Sequence, residues 1–360
     1  MPETRRNRVK MADVARESGV SLSTVSMVLA DKPGLPSETR QRVLSVAHAL
    51  GYRIKTTGNL DAPSELRTVR MFLKNQRGEV PRANEFYSHV ISGIEAACGQ
   101  RKIDLMYTTI EVDDDNVPVE IPDLISREDA DGLIFVGIFV NEVLSLALDR
   151  AGLPVVLIDG YSAGHKYDSV VTDNLSGAYL ATQYLISKGH THIGFLGGHE
   201  QNRVYPSFEE RSRGYMQAIQ DYHLPGPYFV DCEPVREQAY SAALHLLQVD
   251  PQITAITGCN DFVVITAMHA ALSMNLRIPQ DISAVGFDDI FMSENVMPPL
   301  TTMHIDKLNM GRLGVQLLAN RAEVPEASVV TTQILPSLIE RNSVIDIKLV
   351  PAATLLQDVK

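Results

Sequence analysis

The sequence contains no tryptophan and only three cysteines, and aromatic residues make up 6% of it. Cys98, Cys232 and Cys259 are too few and too widely spaced for a disulfide framework or a zinc site. No apolar run reaches the roughly 18 residues that a membrane-spanning helix needs. Met1 to Lys10 are polar and basic with no long apolar stretch after them, so no secretory signal is expected. Asp113, Asp114 and Asp115 lack the glycine and spaced ligands of a calcium loop and read as a solvated turn. His190, His192 and His199 have no Cys or Glu at metal-ligand spacing. The glycine word Gly194 to Gly198 lacks the dinucleotide order. No nucleophile stands beside a base in supporting context. No catalytic residue, metal or cofactor is therefore expected. What is left is a cytosolic globular chain of 360 residues, too long for one compact core.

Positive charge is scarce overall but not at the start. The chain carries a formal −12, yet residues 1–58 hold ten Lys or Arg against five Asp or Glu. A head of +5 on a body of −17 suits a phosphate-facing module joined to something that should not adhere to nucleic acid. A chance fluctuation of solvated charge is the plainer alternative.

The head reads as three short helices. Met11 to Ser18 has apolar residues at helical spacing. Gly19 and Val20 make a tight turn, and Ser21 caps a second helix, Leu22 to Leu29, with Val25, Val28 and Leu29 inward. The third covers Ser37 to Leu50, with Val43, Leu44, Ala47 and Leu50 inward and Gly51 as its stop. Two helices joined by a glycine turn, with a third behind, form a helix-turn-helix unit or a generic small bundle. The second helix exposes Ser21, Leu22, Ser23, Ser26 and Met27.

After a polar linker, 59–68, short apolar strands alternate with helices. Strands are expected at 69–73, 103–109, 132–137, 154–159, 193–197, 255–258 and 282–287. Helices are expected at 86–101, 175–188, 212–222, 237–247 and 262–275. Such alternation implies parallel sheets covered on both faces, and the series is long enough for two. Ligands of such sheets sit beyond the carboxyl ends of the strands. Asp159 and Asp288 stand there and are read as ligand groups. Asp173, Asn174 and Asp289 serve either a ligand or the cap of the next helix.

The stretch Met11 to Ala30, with Thr39-Arg-Gln-Arg-Val43 and Gly51-Tyr52, resembles the head of the lactose/galactose repressor family. The body carries similar words: Pro154-Val-Val-Leu-Ile-Asp159, Gly189-His-Thr-His-Ile-Gly-Phe-Leu-Gly197, Thr257-Gly-Cys-Asn-Asp261, Val285-Gly-Phe-Asp-Asp289 and Pro298-Pro-Leu-Thr-Thr302. The resemblance implies an all-α helix-turn-helix head and an α/β body of two parallel-sheet subdomains, like that of periplasmic binding proteins. It implies a head at 1–58 and a ligand-binding, dimerising body at 69–343. Within the body the subdomains would be about 69–173 with 305–333, and about 174–304 with 334–343. A tail, 344–360, lacks heptads.

By the same resemblance, Leu22 and Ser23 select the operator sequence, and Ser21, Thr24 and Ser26 contact phosphates. Arg211, Asn260 and Asp288 would grip ligand hydroxyls, and Phe86 or Tyr87 would stack on the ligand. Three positions depart from the family. Met27 replaces an arginine able to read guanine, and Met has no donor for guanine O6 or N7. In the hinge, Asp61 stands where a leucine wedges into the minor groove, with Leu60 one position early. Glu85 replaces a proline at the pocket. The function implied is a homodimeric, ligand-responsive regulator, its implied partners being double-stranded operator DNA and an effector that is a sugar or sugar derivative. A solute-binding receptor and a sugar-modifying protein are the alternatives; the basic head argues against the first, and the missing catalytic residues against the second.

Overall fold

A computed structural model of the chain describes residues 11–29, 35–50, 66–76, 85–113, 116–121, 125, 130–198 and 206–348. Two compact units are distinguished, one of residues 1–63 with 146–152 and one of residues 64–145 with 153–360. Leu60 and Asp61, which carry the hinge expectation, lie outside the described residues, as does most of the tail.

In the head, α1 (Met11–Ser18), α2 (Leu22–Leu29) and α3 (Ser37–Ala49) pack around Val14, Val25, Val28, Val43 and Ala47, all buried. Met11, Ala15, Val20, Leu44 and Leu50 close over that centre. The turn from α1 to α2 needs a residue at positive φ, and Gly19 supplies it at 67°. Ser18 returns its hydroxyl to Val14 O at 2.6 Å, closing the end of α1.

The body is built from two six-stranded sheets. Its first stretch runs β1 (Thr68–Gln76), α4 (Glu85–Arg101), β2 (Asp104–Val112), β3 (Gly132–Val136), β4 (Phe139–Val140), α5 (Glu142–Ala151), β5 (Val155–Ile158), β6 (Tyr161–Ser162) and β7 (Asp168–Thr172). The second runs α6 (Asn174–Ser187), β8 (Ile193–Leu196), α7 (Pro206–Asp221), β9 (Tyr228–Val230), α8 (Arg236–Val249), β10 (Ala255–Gly258), α9 (Asp261–Ser273), β11 (Ser283–Asp288), α10 (Phe291–Asn295) and β12 (Thr301–His304). The chain ends its described course with α11 (Lys307–Glu323), β13 (Thr331–Ile334) and β14 (Ser337–Ile339).

The first sheet has the order β13-β7-β5-β3-β1-β2 and is parallel throughout. The second has the order β14-β12-β11-β10-β8-β9; it is parallel except for β14, which runs against β12. We call the two halves lobe 1 and lobe 2. The chain passes between them at 173, at 305–306 and at 335–336.

The central strands are continuous apolar runs, as sheets covered on both faces require. Every residue of β3, β5, β8 and β10 is buried. In lobe 1 the helices α4 and α11 cross closely against the sheet. A β-carbon at Gly93 would overlap the Leu308 carbonyl oxygen, and one at Gly311 would overlap that of Val90, so only glycine permits this approach. No helix among the described residues is long and apolar enough to cross a membrane.

Candidate functional sites in the head and in the cleft

The head presents α2. Ser21 accepts a hydrogen bond from Thr24 N at 3.1 Å and so caps the helix. Its hydroxyl also lies 2.7 Å from that of Ser23 and 2.8 Å from that of Thr24. Leu22 is 52% exposed, and Ser23 and Ser26 are exposed beside it, while Thr24 and Met27 are half-buried. An exposed leucine among small hydroxyls at a helix N-terminus offers close approach, backbone N–H groups for a phosphate and an apolar tip for a base edge.

The body carries a cleft of about 460 Å³ between the carboxyl ends of the two sheets. From lobe 1 it is lined by Lys74 and Gln76 at the end of β1, Phe86 and Tyr87 at the start of α4, Asp159 after β5, and Tyr161. From lobe 2 come Phe208 and Arg211 of α7, Asn260 and Phe262 at the start of α9, and Asp288 at the end of β11. Phe86, Tyr87, Asp159, Arg211, Asn260 and Asp288, read from sequence up to two hundred residues apart, thus line one cavity.

Arg211 is fixed on every side. Its Nε donates to Asn174 Oδ1 at 2.9 Å and its Nη1 to the Cys259 carbonyl. Its Nη2 stands 3.0 Å from Asp288 Oδ1, and its guanidinium lies 3.9 Å from the centre of the Phe287 ring. The contact with Asp288 is an ion pair without hydrogen-bond alignment, which leaves that buried oxygen no hydrogen-bond partner. Burial pushes the Asp288 carboxyl up, and Arg211 and Lys307 pull it back. Asp288 also sits at φ 106°, a strained conformation for a residue with a side chain.

On the facing wall Asp159 accepts the Tyr87 hydroxyl at 2.8 Å. Burial raises its pKa and Lys74 opposes the rise. Lys74 is itself buried, which brings it down to about 8 despite Asp159; its ammonium donates to Asn116 Oδ1 at 3.0 Å. Phe86 meets Tyr87 edge-on at 5.3 Å, so the two rings form one apolar shelf. Asn260 Oδ1 accepts from Val263 N at 2.9 Å, so the residue caps α9 while lining the cleft.

The other strand-end groups divide by role. Asp173 caps α6 through Ser176 N at 3.1 Å. Asn174 holds both Arg211 and Glu210, so it positions cleft residues. Asp289 turns away to Arg341 at 2.7 Å and His304 at 2.8 Å. His190 is held between Thr254 Oγ1 at 2.9 Å and Ile345 O at 3.2 Å, and burial brings it down to about 4. Sequence reasoning did not select Lys74, Tyr161, Glu210 or Lys307, and it marked Asp261 only as a polar residue at a strand end. Asp261 is wholly buried at the start of α9 and accepts from Ile290 N at 2.9 Å, Ser293 Oγ at 2.7 Å and Thr302 Oγ1. Burial, with Asp288 beside it, pushes its pKa to about 7. Among the described residues no group of three or more His, Cys, Asp or Glu is placed to hold a metal ion.

Residues 10–54 match the family of bacterial regulatory proteins of the lacI type, and residues 182–344 match the periplasmic binding protein-like domain. The chain thus joins a lacI-type head to a periplasmic-binding-protein-like body. It is 28% identical over 347 residues to the HTH-type transcriptional repressor PurR of Vibrio cholerae, covering 93% of this chain and 98% of that one. It is 27% identical over 343 residues to the ribose operon repressor of Haemophilus influenzae, covering 94% and 99%. Among solved structures, a regulatory protein of the LacI family from Chloroflexus aggregans is 28% identical, with a TM-score of 0.67, over 76% of this chain and 98% of that one. The transcriptional regulator CelR in complex with cellobiose shares the fold over 93% of this chain and 100% of that one, with a TM-score of 0.65 at 23% identity. The lacI-type head and the two-lobed body together correspond to the fold class expected from sequence.

Proposed function

We propose that this chain is a cytoplasmic, homodimeric transcription repressor of the lacI family whose head reads operator DNA and whose cleft binds a sugar or sugar derivative without turning it over. The observation that carries the effector reading is the pairing of Arg211 and Asp288 in a cavity that also holds Asp159, Asn260 and the Phe86–Tyr87 shelf. Polyhydroxylated ligands need this mixture: carboxylate and guanidinium groups for hydroxyls, and aromatic faces for the apolar side of the ring. The relatives support it, since one is named for the ribose operon and one fold neighbour holds cellobiose. For the head, the exposed Leu22 and Ser23 select bases, and Ser21, Thr24 and Ser26 contact phosphates.

Thermal-shift screening against ribose, cellobiose, other neutral sugars, sugar phosphates and nucleosides tests the effector reading, because a bound ligand raises stability by mass action. A stabilising neutral sugar whose effect disappears in Arg211→Ala supports it. Stabilisation by nucleosides alone would replace it.

A further inference from the structure

The lip of lobe 2, from Asp288 to Phe291, has two consecutive non-glycine residues in the left-handed region: Asp288 at φ 106° and Asp289 at φ 52°. Such conformations persist where surrounding groups over-determine them. Here the surrounding groups come from both lobes. From lobe 2, Asp261 holds Ile290 N and Ser293, and Arg341 and His304 hold the Asp289 carboxylate. From lobe 1, Lys307 at the start of α11 donates to the carbonyl oxygens of Asp288 and Asp289. Glu85 at the start of α4 accepts from Phe291 N. The glycine crossing at Gly93 and Gly311 brings the starts of α4 and α11 together, which lets these two side chains act on one segment.

We infer that the α4–α11 pair is a built-in clasp, in which Glu85 and Lys307 grip the strained lip of lobe 2 and bias the cleft toward its closed form before any effector is bound. Both bonds are charge-assisted, a carboxylate on a backbone N–H and an ammonium on carbonyls, and these are stronger than neutral pairs. The gripped segment begins at Asp288, a cleft residue. An effector that engages Asp288 therefore acts on a segment already tied to lobe 1, and closure demands less new ordering. On the far side of the cavity the Tyr161 hydroxyl of lobe 1 lies 3.4 Å from Glu210 of lobe 2, near the outer limit of a hydrogen bond.

The clasp is independent of which effector binds, so the full-length protein is measured without ligand. Spin labels are placed at Val119→Cys in lobe 1 and Val235→Cys in lobe 2, positions 43% and 48% exposed, while the native cysteines are buried. The protein is diluted with unlabelled chains so that distances arise within one molecule. The unsubstituted chain should give mainly the short, closed distance. Glu85→Ala should cut the ratio of closed to open molecules about tenfold, the loss of one hydrogen bond to a charged group, and Lys307→Met, which loses two, at least as much. Glu85→Gln keeps an acceptor oxygen without the charge and should lose less than Glu85→Ala. Amide exchange at residues 290–293 should rise in the first two variants and rise less in the third. If Glu85→Ala keeps the short distance and the slow exchange, the clasp is overturned. Should Lys307→Met fail to fold, Glu85→Ala decides alone, because its side chain is only half-buried at the rim. Failure to find any effector or operator would overturn the regulator reading and leave this result standing.

Discussion

Arg211 Nη2 and Asp288 Oδ1 face each other at 3.0 Å, with the two side chains 4% and 12% exposed, on the lobe 2 wall of the cleft. Each residue answers the other's charge, and neither position is explained by packing alone. The guanidinium is oriented by Asn174 and Cys259 O, so it is held ready rather than recruited by a ligand.

Removing one partner leaves the other buried and uncompensated, and removes a ligand contact. Asp288→Ala and Arg211→Ala should each weaken effector binding by about 1–3 kcal/mol, roughly five- to 150-fold in affinity. DNA affinity in the absence of effector should change little. Isothermal titration with the sugar found by thermal shift, beside a DNA-binding assay on the same variants, separates the two effects. Unchanged effector affinity in both variants would place the ligand elsewhere.

Asp261 gives a pH dependence of known sign. Its carboxyl has a pKa raised to about 7 in the folded chain, against about 4 when unfolded. Between these values the folded state binds more protons, so this group's contribution to stability is full below about pH 4 and is lost as pH rises through 7. His190, brought down to about 4, acts in the opposite sense: its contribution is full above its unfolded value and is lost as pH falls toward 4. The Asp261 contribution is therefore read as a difference. Asp261→Asn keeps an acceptor for Ile290 N. Relative to wild type it should gain stability between pH 5 and pH 7.5 in denaturant titrations. A constant difference across that range would contradict the buried, proton-binding carboxyl.

Much of the fold is legible in the sequence because its signals are local. Leu133 to Val136 and Val155 to Ile158 are unbroken apolar runs with polar residues just beyond, and those runs are central parallel strands. Gly19 and Ser21 mark the turn and cap between α1 and α2. In the cleft, Asp159 and Asp288 follow apolar runs and are visible by the same rule. Lys74 also ends a strand, but it is followed by Asn75 and Gln76 within that strand, so the polar run blurs its boundary. Lys307 looks like one more lysine at a helix start; its partners Asp288 and Asp289 lie nearly twenty residues earlier and meet it only when the lobes do. Tyr161 belongs to a two-residue strand too short for any periodicity.

Operator binding should be strongly salt-dependent. The head carries +5 on a chain of −12, so attraction to the phosphates is confined to one end. If the dimer neutralises about six to ten phosphates, affinity should fall about 10³–10⁵-fold between 50 and 200 mM salt. Fluorescence anisotropy with a labelled operator fragment measures the slope. A slope near zero would remove the phosphate role assigned to the Ser21, Thr24 and Ser26 end of α2.

Met27 bears on which base is read. The side chain is half-buried on α2, in the turn after the exposed Leu22 and Ser23. An arginine there would offer two donors to guanine O6 and N7, whereas methionine offers only apolar contact, which suits the methyl group of thymine. The half-site of the wild-type protein should therefore show no guanine requirement at the position facing residue 27. Met27→Arg should introduce one, worth about 1–3 kcal/mol against the other bases. The substitution adds a charge without removing any of the buried core residues Val14, Val25, Val28, Val43 and Ala47, so the head should remain folded. Binding-site selection from random duplexes, run in parallel on both proteins, gives the comparison. If wild type already enriches guanine at that position as strongly as Met27→Arg does, residue 27 does not face a base, and readout by α2 rests on Leu22 and Ser23 alone.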